Sequence, residues 1–394
     1  MKSFIKISLI PALFQIGYAK QAQTNSTAPI KGSYIVTLKS STNDKEFDEH
    51  LDKVRNQIGK DQHSSGKNEI NYVYRDLLKG YSAEFTNDVL AEVKAMPEVN
   101  AIEKDQVVKV SSVQEKSSWG LARLSSDDRL SRNFKYWSYT HDPDAGEGVD
   151  VYVIDSGIQI DHPNFEGRAK WGKNFVNDID TDENGHGTHV AGIIGSKTYG
   201  VAKKSTLFAV KVLNPESNDK VSRIIAGVSW AIQNRRKGQG CVINISMGDL
   251  QSNTMNDAMA AAVGLGCVVV AAAGNDNEDA CNISPASEPK VITVGASSIH
   301  DTRASFSNWG KCLDVFAPGE YIFSTTKQGG ARHEFGTSMA AAHVSGLAAN
   351  VMSKTKNYNS SYVKNYIIEH SKSGVLKNVG EGSPNLLVSN IGLV

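Results

Sequence analysis

Four short segments of this chain carry side chains whose types could act together on one bond. Asp155 closes an apolar run, Val149-Asp150-Val151-Tyr152-Val153-Ile154, and is followed by Ser156-Gly157. An acid at the end of such a run sits where a strand leaves a core, and the glycine lets the chain turn sharply. An ordinary turn has the same look. His186 lies in Asn184-Gly185-His186-Gly187-Thr188-His189-Val190-Ala191-Gly192, between two glycines and ahead of a small-residue helix. His186 and His189 are one helical turn apart, as a zinc pair would be, but no Glu or further His stands where a third or fourth ligand is needed. His189 fits a buried structural histidine better. Ser338 lies in Phe335-Gly336-Thr337-Ser338-Met339-Ala340-Ala341-Ala342-His343-Val344-Ser345-Gly346, at the start of a long Ala/Val/Leu helix. A plain N-cap serine looks alike. A nucleophile placed there would gain the free N–H groups and partial positive charge of the helix start. Asn275 ends Ala271-Ala272-Ala273-Gly274-Asn275, where a turn residue and an amide donor both fit.

Together these groups make a reaction. A serine hydroxyl is a poor nucleophile near neutrality and needs an adjacent base. Histidine can take and return that proton. A buried carboxylate fixes its tautomer and stabilises the imidazolium. A side-chain amide with a backbone N–H can hold the oxyanion of an acyl transfer. No G-x-S-x-G occurs, so the nucleophile elbow of lipases and esterases is absent.

The elements that must position these residues are legible from Trp119 onward. Val149–Ile154, Leu207–Val212, Cys241–Ile245, Cys267–Ala271 and Val291–Val294 are strand-like runs alternating with helical patterns. This predicts an α/β domain with a doubly wound, mostly parallel sheet, whose chemistry belongs at the carboxyl ends of its strands. Ala258 to Gly274 is nearly all apolar and close to the length of a membrane span. Gly264-Leu265-Gly266 interrupts it, and Val268-Val269-Val270 follows, so it reads as a buried helix and a buried strand.

Ahead of this lies a small α+β unit, Gly32 to Val110. Its strands are Tyr34–Leu38, Tyr72–Tyr74, Gly80–Phe85 and Val107–Val110. One helix carries Phe47, Leu51, Val54 and Ile58; a second, capped by Thr86 or Asn87, carries Val89, Leu90, Val93 and Met96. The order βαββαβ suits a small sandwich, and about 80 residues make a thin core. Ser111 to Ser118 reads as an extended polar linker. The start of the chain reads as a signal peptide over residues 1–19. Lys2 and Lys6 precede the apolar Ile7–Ile16, and Gly17-Tyr18-Ala19 offers a cleavage point after Ala19, with Ala22 a second choice.

Charge balances, with 42 basic and 42 acidic side chains among 394 residues. No global field draws nucleic acid or anionic membrane, and Arg235-Arg236-Lys237 is too short to change that. Cys241 and Cys267, inside apolar runs, read as buried free thiols.

The order Asp, His, Ser, with D-S-G, H-G-T-H-V-A-G, A-A-G-N and G-T-S-M-A around the residues, resembles the subtilases, in particular their proteinase K branch. The likeness runs from about Trp119 to Leu386, with echoes in Trp119–Arg123, Ser284–Ser287 and Ser305–Gly310. It implies a serine endopeptidase with Asp155 orienting His186, His186 as general base, Ser338 as nucleophile and Asn275 as oxyanion donor with the Ser338 N–H. Substrate would lie along Ser246, Met247, Gly248 and Ala272, Ala273, Gly274. Residues 20–111 would be an inhibitory propeptide and 112–394 the peptidase, with self-cleavage near Ser111. Cys281 and Cys312 match positions joined by a disulfide in relatives. No cofactor is required, but Pro289, Val291 and Asp314 match a structural calcium site. The implied partners are protein or peptide substrates and the chain's own propeptide. The product would be a monomer without a membrane span, secreted or kept in a secretory compartment such as a vacuole. Two departures stand out. Ser-Leu-Gly-Gly of relatives is Ser246-Met247-Gly248-Asp249, where Asp249 would narrow the cleft or favour basic substrate side chains. Ala342 stands where proline is common. Asn25 and Asn359 open exposed sequons. The rival reading is an inactive binding protein on a subtilase scaffold, but such proteins usually lack a triad residue, and all three are present.

Overall fold

A computed structural model of the chain describes residues 29–60, 67–76, 78–106, 112–131, 137–216 and 220–394. The expected signal peptide, Asn25 and the expected cleavage point near Ser111 lie outside these residues. The chain separates into two compact units, Met1–Val107 and Val108–Val394.

The first unit runs β1 (Pro29–Leu38), α1 (Asp44–Lys60), β2 (Glu69–Tyr74), β3 (Gly80–Glu84), α2 (Asn87–Lys94) and β4 (Val99–Gln106). Asn43 and Glu46 cap α1 reciprocally: the Asn43 N–H donates to Glu46 Oε2 at 2.9 Å and the Glu46 N–H to Asn43 Oδ1 at 3.0 Å. The sheet order is β2-β3-β1-β4, all antiparallel. Phe47, Leu51 and Val54 of α1 and Val89 and Val93 of α2 pack on Val36, Tyr81 and Ala83. The last described strand is Val99–Gln106, earlier than the expected Val107–Val110, which falls outside the described residues. Its register pairs Ile102 with Val36 and Val99 with Leu38, a short alternating pattern among charges that gives little signal in sequence.

The second unit opens with β5 (Ser112–Ser117), α3 (Trp119–Ser125), β6 (Trp137–His141), β7 (Val149–Asp155), β8 (Ala169–Asn174), α4 (His186–Gly195), β9 (Thr206–Lys211), α5 (Val221–Gln233) and β10 (Gly240–Ile245). It continues with β11 (Asp249–Leu250), α6 (Asn253–Gly264), β12 (Val268–Ala272), β13 (Ile283–Ser284), β14 (Ile292–Ser297), β15 (Val315–Pro318), β16 (Ile322–Thr325), β17 (Ala331–Glu334), α7 (Thr337–Thr355), α8 (Ser360–Glu369), β18 (Lys372–Ser373) and β19 (Leu386–Leu387). The expected linker is therefore corrected to a strand: β5 pairs antiparallel with β6, Ser112 opposite His141. Its polar side chains leave no buried face to announce it.

The main sheet has the order β18-β19-β15-β14-β12-β10-β7-β9-β8 and is parallel except at β18. Its central strands β7, β10, β12, β14 and β15 are buried on both faces. Val151, Val153, Val242 and Val270 join the apolar cluster that includes α4 and α7, while Tyr152, Ile154, Ile243 and Val269 join that of α5 and α6. This is the alternation of a strand sandwiched between two helix layers. The apolar stretch Ala258–Gly274 resolves into the end of α6, then β12. No helix among the described residues is long and apolar enough to cross a membrane.

The cysteines correct one expectation. Cys241 and Cys267 are bonded to each other, not free, with Cα atoms 4.7 Å apart. β10 and β12 are hydrogen-bonded neighbours with Val242 opposite Val268, which places the preceding residues side by side. Cys281 is bonded to Cys312.

Candidate active site

The carboxyl ends of β7, β10 and β12 and the amino ends of α4 and α7 gather the residues singled out from sequence. Asp155 is the last residue of β7 and fully buried; His186 is the first of α4, with 24% of its side chain exposed. His186 Nδ1 lies 2.8 Å from Asp155 Oδ1 and 3.0 Å from Oδ2. Burial works against a charged imidazole. The Asp155 charge and hydrogen bond, with help from Glu334 and Asp182, outweigh it and push the His186 pKa up to about 9.

The approach of these two elements needs its glycine. A Cβ on Gly187 would run into the Gly157 carbonyl oxygen and lie 3.1 Å from Asp155 Oδ1. Asp182, not singled out from sequence, fastens the same corner. Its Oδ1 accepts from Ser156 Oγ at 2.8 Å and the Gly185 N–H at 2.7 Å, and its Oδ2 from the Thr188 N–H at 2.8 Å. A buried carboxylate at a helix start satisfies otherwise orphaned N–H groups. An acid a few residues ahead of a helix is the signal that could have found it. His189 is buried, and its Nε2 contacts the Arg332 carbonyl at 3.1 Å. Burial lowers its pKa to about 4 despite the Glu334 charge.

Ser338 is the second residue of α7 and nearly buried. Its Oγ donates to the Ser246 carbonyl at 2.8 Å, and Ser246 Oγ donates back to the Ser338 carbonyl at 3.1 Å. Asp155 and His186 are thus joined directly, while the Ser338 hydroxyl is turned to the end of β10. Asn275 Oδ1 accepts from the Thr337 N–H at 2.8 Å and Thr337 Oγ1 at 3.0 Å, which orients the amide. A methyl group at Gly336 would sit 3.6 Å from Ser338 N and 3.7 Å from Asn275 Nδ2, so both nitrogens border one space.

Ala272 ends β12, and Ala273 and Gly274 lead from it to Asn275. Gly274 has φ +101°, and a Cβ there would strike Asn308 Nδ2. Asn308 is fully buried: its Nδ2 donates to the Ala273 carbonyl at 3.0 Å and its Oδ1 accepts from the Asp276 N–H at 3.0 Å. It holds the Asn275 loop, and its segment Ser305–Gly310 was noticed in sequence only as an echo. Across the site, Ser246, Met247 and Gly248 follow β10 and lead into β11, whose backbone pairs antiparallel with β13, Asp249 opposite Ser284. An open groove of about 470 Å3 beside His186 is lined by Asn184 and Arg332 to Phe335.

The expected calcium position does not fit a metal. Lys364 Nζ occupies it, donating to the carbonyls of Pro289 at 2.8 Å and Val291 at 2.7 Å, and lying 2.8 Å from Asp314 Oδ1. An ammonium already satisfies the three groups a cation would need. Among the described residues no cluster of three or more His, Cys, Asp or Glu side chains could hold a metal ion.

Residues 146–385 match the Subtilase family, and residues 33–111 match the Peptidase inhibitor I9 family. A subtilisin-like protease of Coccidioides posadasii is 46% identical over 319 residues, covering 79% of this chain and 78% of that protein. Subtilisin-like protease 1 of Trichophyton rubrum is 39% identical over 404 residues, covering 99% of this chain and 78% of that one. Among solved structures, a cold-adapted subtilisin-like serine proteinase superposes with a TM-score of 0.64 at 38% identity, covering 70% of this chain and 98% of that chain. The chain belongs to the subtilase family. It is a subtilisin-like serine endopeptidase carrying an I9-type inhibitor propeptide, which implies a zymogen.

Proposed function

We propose that Asp155, His186 and Ser338 form the catalytic triad of this peptidase, with Asn275 Nδ2 and the Ser338 N–H as the oxyanion donors. The observation that supports the reading is the Asp155–His186 hydrogen bond of 2.8 Å at the end of β7, with Ser338 on the first turn of α7, a helix packed against α4. Rotation about χ1 would release Ser338 Oγ from the Ser246 carbonyl and turn it to His186 Nε2. Oγ then attacks the peptide carbonyl while Nε2 takes its proton. The Asn275 amide and the Ser338 N–H would hold the oxyanion, and the bonds of Asn275 Oδ1 to Thr337 support that role for Nδ2. Collapse expels the amine, which receives the proton from His186, and leaves an acyl-enzyme. Water repeats the steps and frees the acid. An extended peptide would lie along Ser246–Gly248 and Ala272–Gly274, a reading supported by the bonds of the Ser246 carbonyl to Ser338 Oγ at 2.8 Å and of the Gly274 N–H to Thr337 Oγ1 at 3.2 Å.

The chain is organised as a signal peptide over 1–19, a propeptide over 20–111 and a peptidase over 112–394. The propeptide inhibits the peptidase until the chain cuts itself near Ser111. The leader pattern directs the product into the secretory pathway, for release or storage in a compartment such as a vacuole, where it acts as a monomer on protein or peptide substrates. The test is the intact mass of the purified precursor beside that of its Ser338→Ala variant, with no other protease present. Cleavage near Ser111 in the wild type alone agrees with self-processing; a variant that still matures in isolation refutes it.

A further inference from the structure

Two backbone carbonyls and one carboxylate converge on one point. The Pro289 and Val291 carbonyls come from the approach to β14, and the Asp314 carboxylate from the approach to β15. Carbonyls aimed at a common centre beside a carboxylate repel one another unless a cation sits between them. Lys364, on α8, supplies its ammonium to that centre at 2.7–2.9 Å from every partner. The cage is tied into the sheet, because the Thr293 N–H donates to Asp314 Oδ2 at 2.9 Å and the Asp314 N–H to the Thr293 carbonyl at 3.0 Å. The same device recurs at the other side of the sheet. Lys211, fully buried at the end of β9, donates to the Ile179 carbonyl at 3.0 Å and the Thr181 carbonyl at 3.1 Å, and pairs with Glu183.

We propose that the Lys364 ammonium is a covalently tethered substitute for a metal ion, so that this cage holds without calcium and becomes a calcium site when the side chain is shortened. A tethered cation loses no translational freedom on each folding event and is not removed by dilution or chelation. Calcium needs about six to eight oxygens, more than the cage alone provides. A cavity of about 470 Å3, lined by Pro289, Asn359, Ser360 and Lys364 among others, adjoins the cage and gives room for the waters that would complete the shell. The cage sits at the amino ends of β14 and β15, away from the edge that carries Ser338, so its loss affects unfolding before it affects turnover.

The experiment compares the mature, covalently inhibited enzyme with its Lys364→Ala variant in thermal melts, in a calcium chelator and in excess calcium, with titration calorimetry to count bound calcium. The calcium-induced shift of the wild-type midpoint serves as the reference, which removes any contribution from other sites. The proposal expects the variant to melt roughly 5–10 °C lower in chelator, to recover more with calcium than the wild type does, and to bind one calcium more per molecule. Equal calcium shifts and equal stoichiometry in the two proteins overturn it. If the variant does not fold in chelator, refolding yield becomes the readout. Recovery only with calcium supports the proposal, and failure in both conditions overturns it.

Discussion

The two units of this chain bury their apolar residues by different means. Among the described residues of the amino-terminal unit, ten buried hydrophobic side chains form one cluster on a four-stranded antiparallel sheet. Its outer strand β2 leaves Tyr72 70% exposed, and it contains none of the four cysteines. Among its described residues the second unit has strands buried on both faces, three separate apolar clusters and both disulfides. A unit of the first kind supplies only about 3–5 kcal/mol of stability. One of the second kind survives the loss of several contacts. That difference would suit a propeptide that is discarded and an enzyme that remains.

The largest expected effect is on chemistry, which falls entirely to residues of the second unit. Asp155→Asn should lower kcat/KM on a peptide substrate by about 10^4-fold, the cost of such a change in a serine protease. Its pH profile is informative as well. In the wild type the base must lose a proton held up to about 9 by Asp155, so kcat/KM should climb through the alkaline range. The variant's midpoint should fall by more than one pH unit. Because the folded His186 pKa is raised, the stability of this pair is complete below about 6.5 and is lost as pH rises through about 9. An unchanged midpoint would detach His186 from Asp155.

The next largest effect concerns the cores. In a Ser338→Ala precursor, which keeps both units in one chain, Phe47→Ala should remove about 3–5 kcal/mol. That is enough to abolish the first unit's melting transition while the second unit's remains. Two intact transitions by calorimetry would mean that the first unit is sturdier than its core suggests.

The smallest effect is a pH response of opposite sign. His50 is buried in the first unit, between Glu98 at 3.0 Å and Tyr81 Oη at 3.1 Å. Burial lowers its pKa, the Glu98 hydrogen bond and charge oppose this, and Lys53 adds slightly to the lowering. Its contribution to stability is therefore present above about 6.5 and is lost as pH falls below that value. His50→Gln should flatten the acid side of the first unit's stability curve. The same slope in wild type and variant would remove His50 as its cause.

What could be read from sequence follows the range of the interactions. Asp155, His186, Asn275 and Ser338 stand out because their neighbours are local: a strand end, a glycine, a helix start. The strands β7, β9, β10, β12 and β14 are legible because both faces are buried, giving unbroken apolar runs. β5 is polar and half solvated, so its pairing with β6 leaves no trace in its pattern. The Cys241–Cys267 bond depends on β10 lying next to β12, a fact of strand order. Lys364 is worse placed still. Its partners are fixed by how α8 packs, and a lysine in a helix gives no sign that it ends in a carbonyl cage. Asp182 gives a faint local signal, an acid just ahead of a helix start, but its bond to Ser156 Oγ comes from another element, as does the bond of Asn308 to the Ala273 carbonyl.

The proposed reaction requires Ser338, activated by His186, as its nucleophile. The direct measurement is peptide mapping by mass spectrometry of the processed enzyme after treatment with a fluorophosphonate, beside a His186→Ala variant. One adduct is expected, on Ser338, appearing as peptidase activity disappears, with labelling at least about 10^3-fold slower in the variant. Activity lost with the adduct on another residue, or labelling of Ser338 at the same rate without His186, would contradict it.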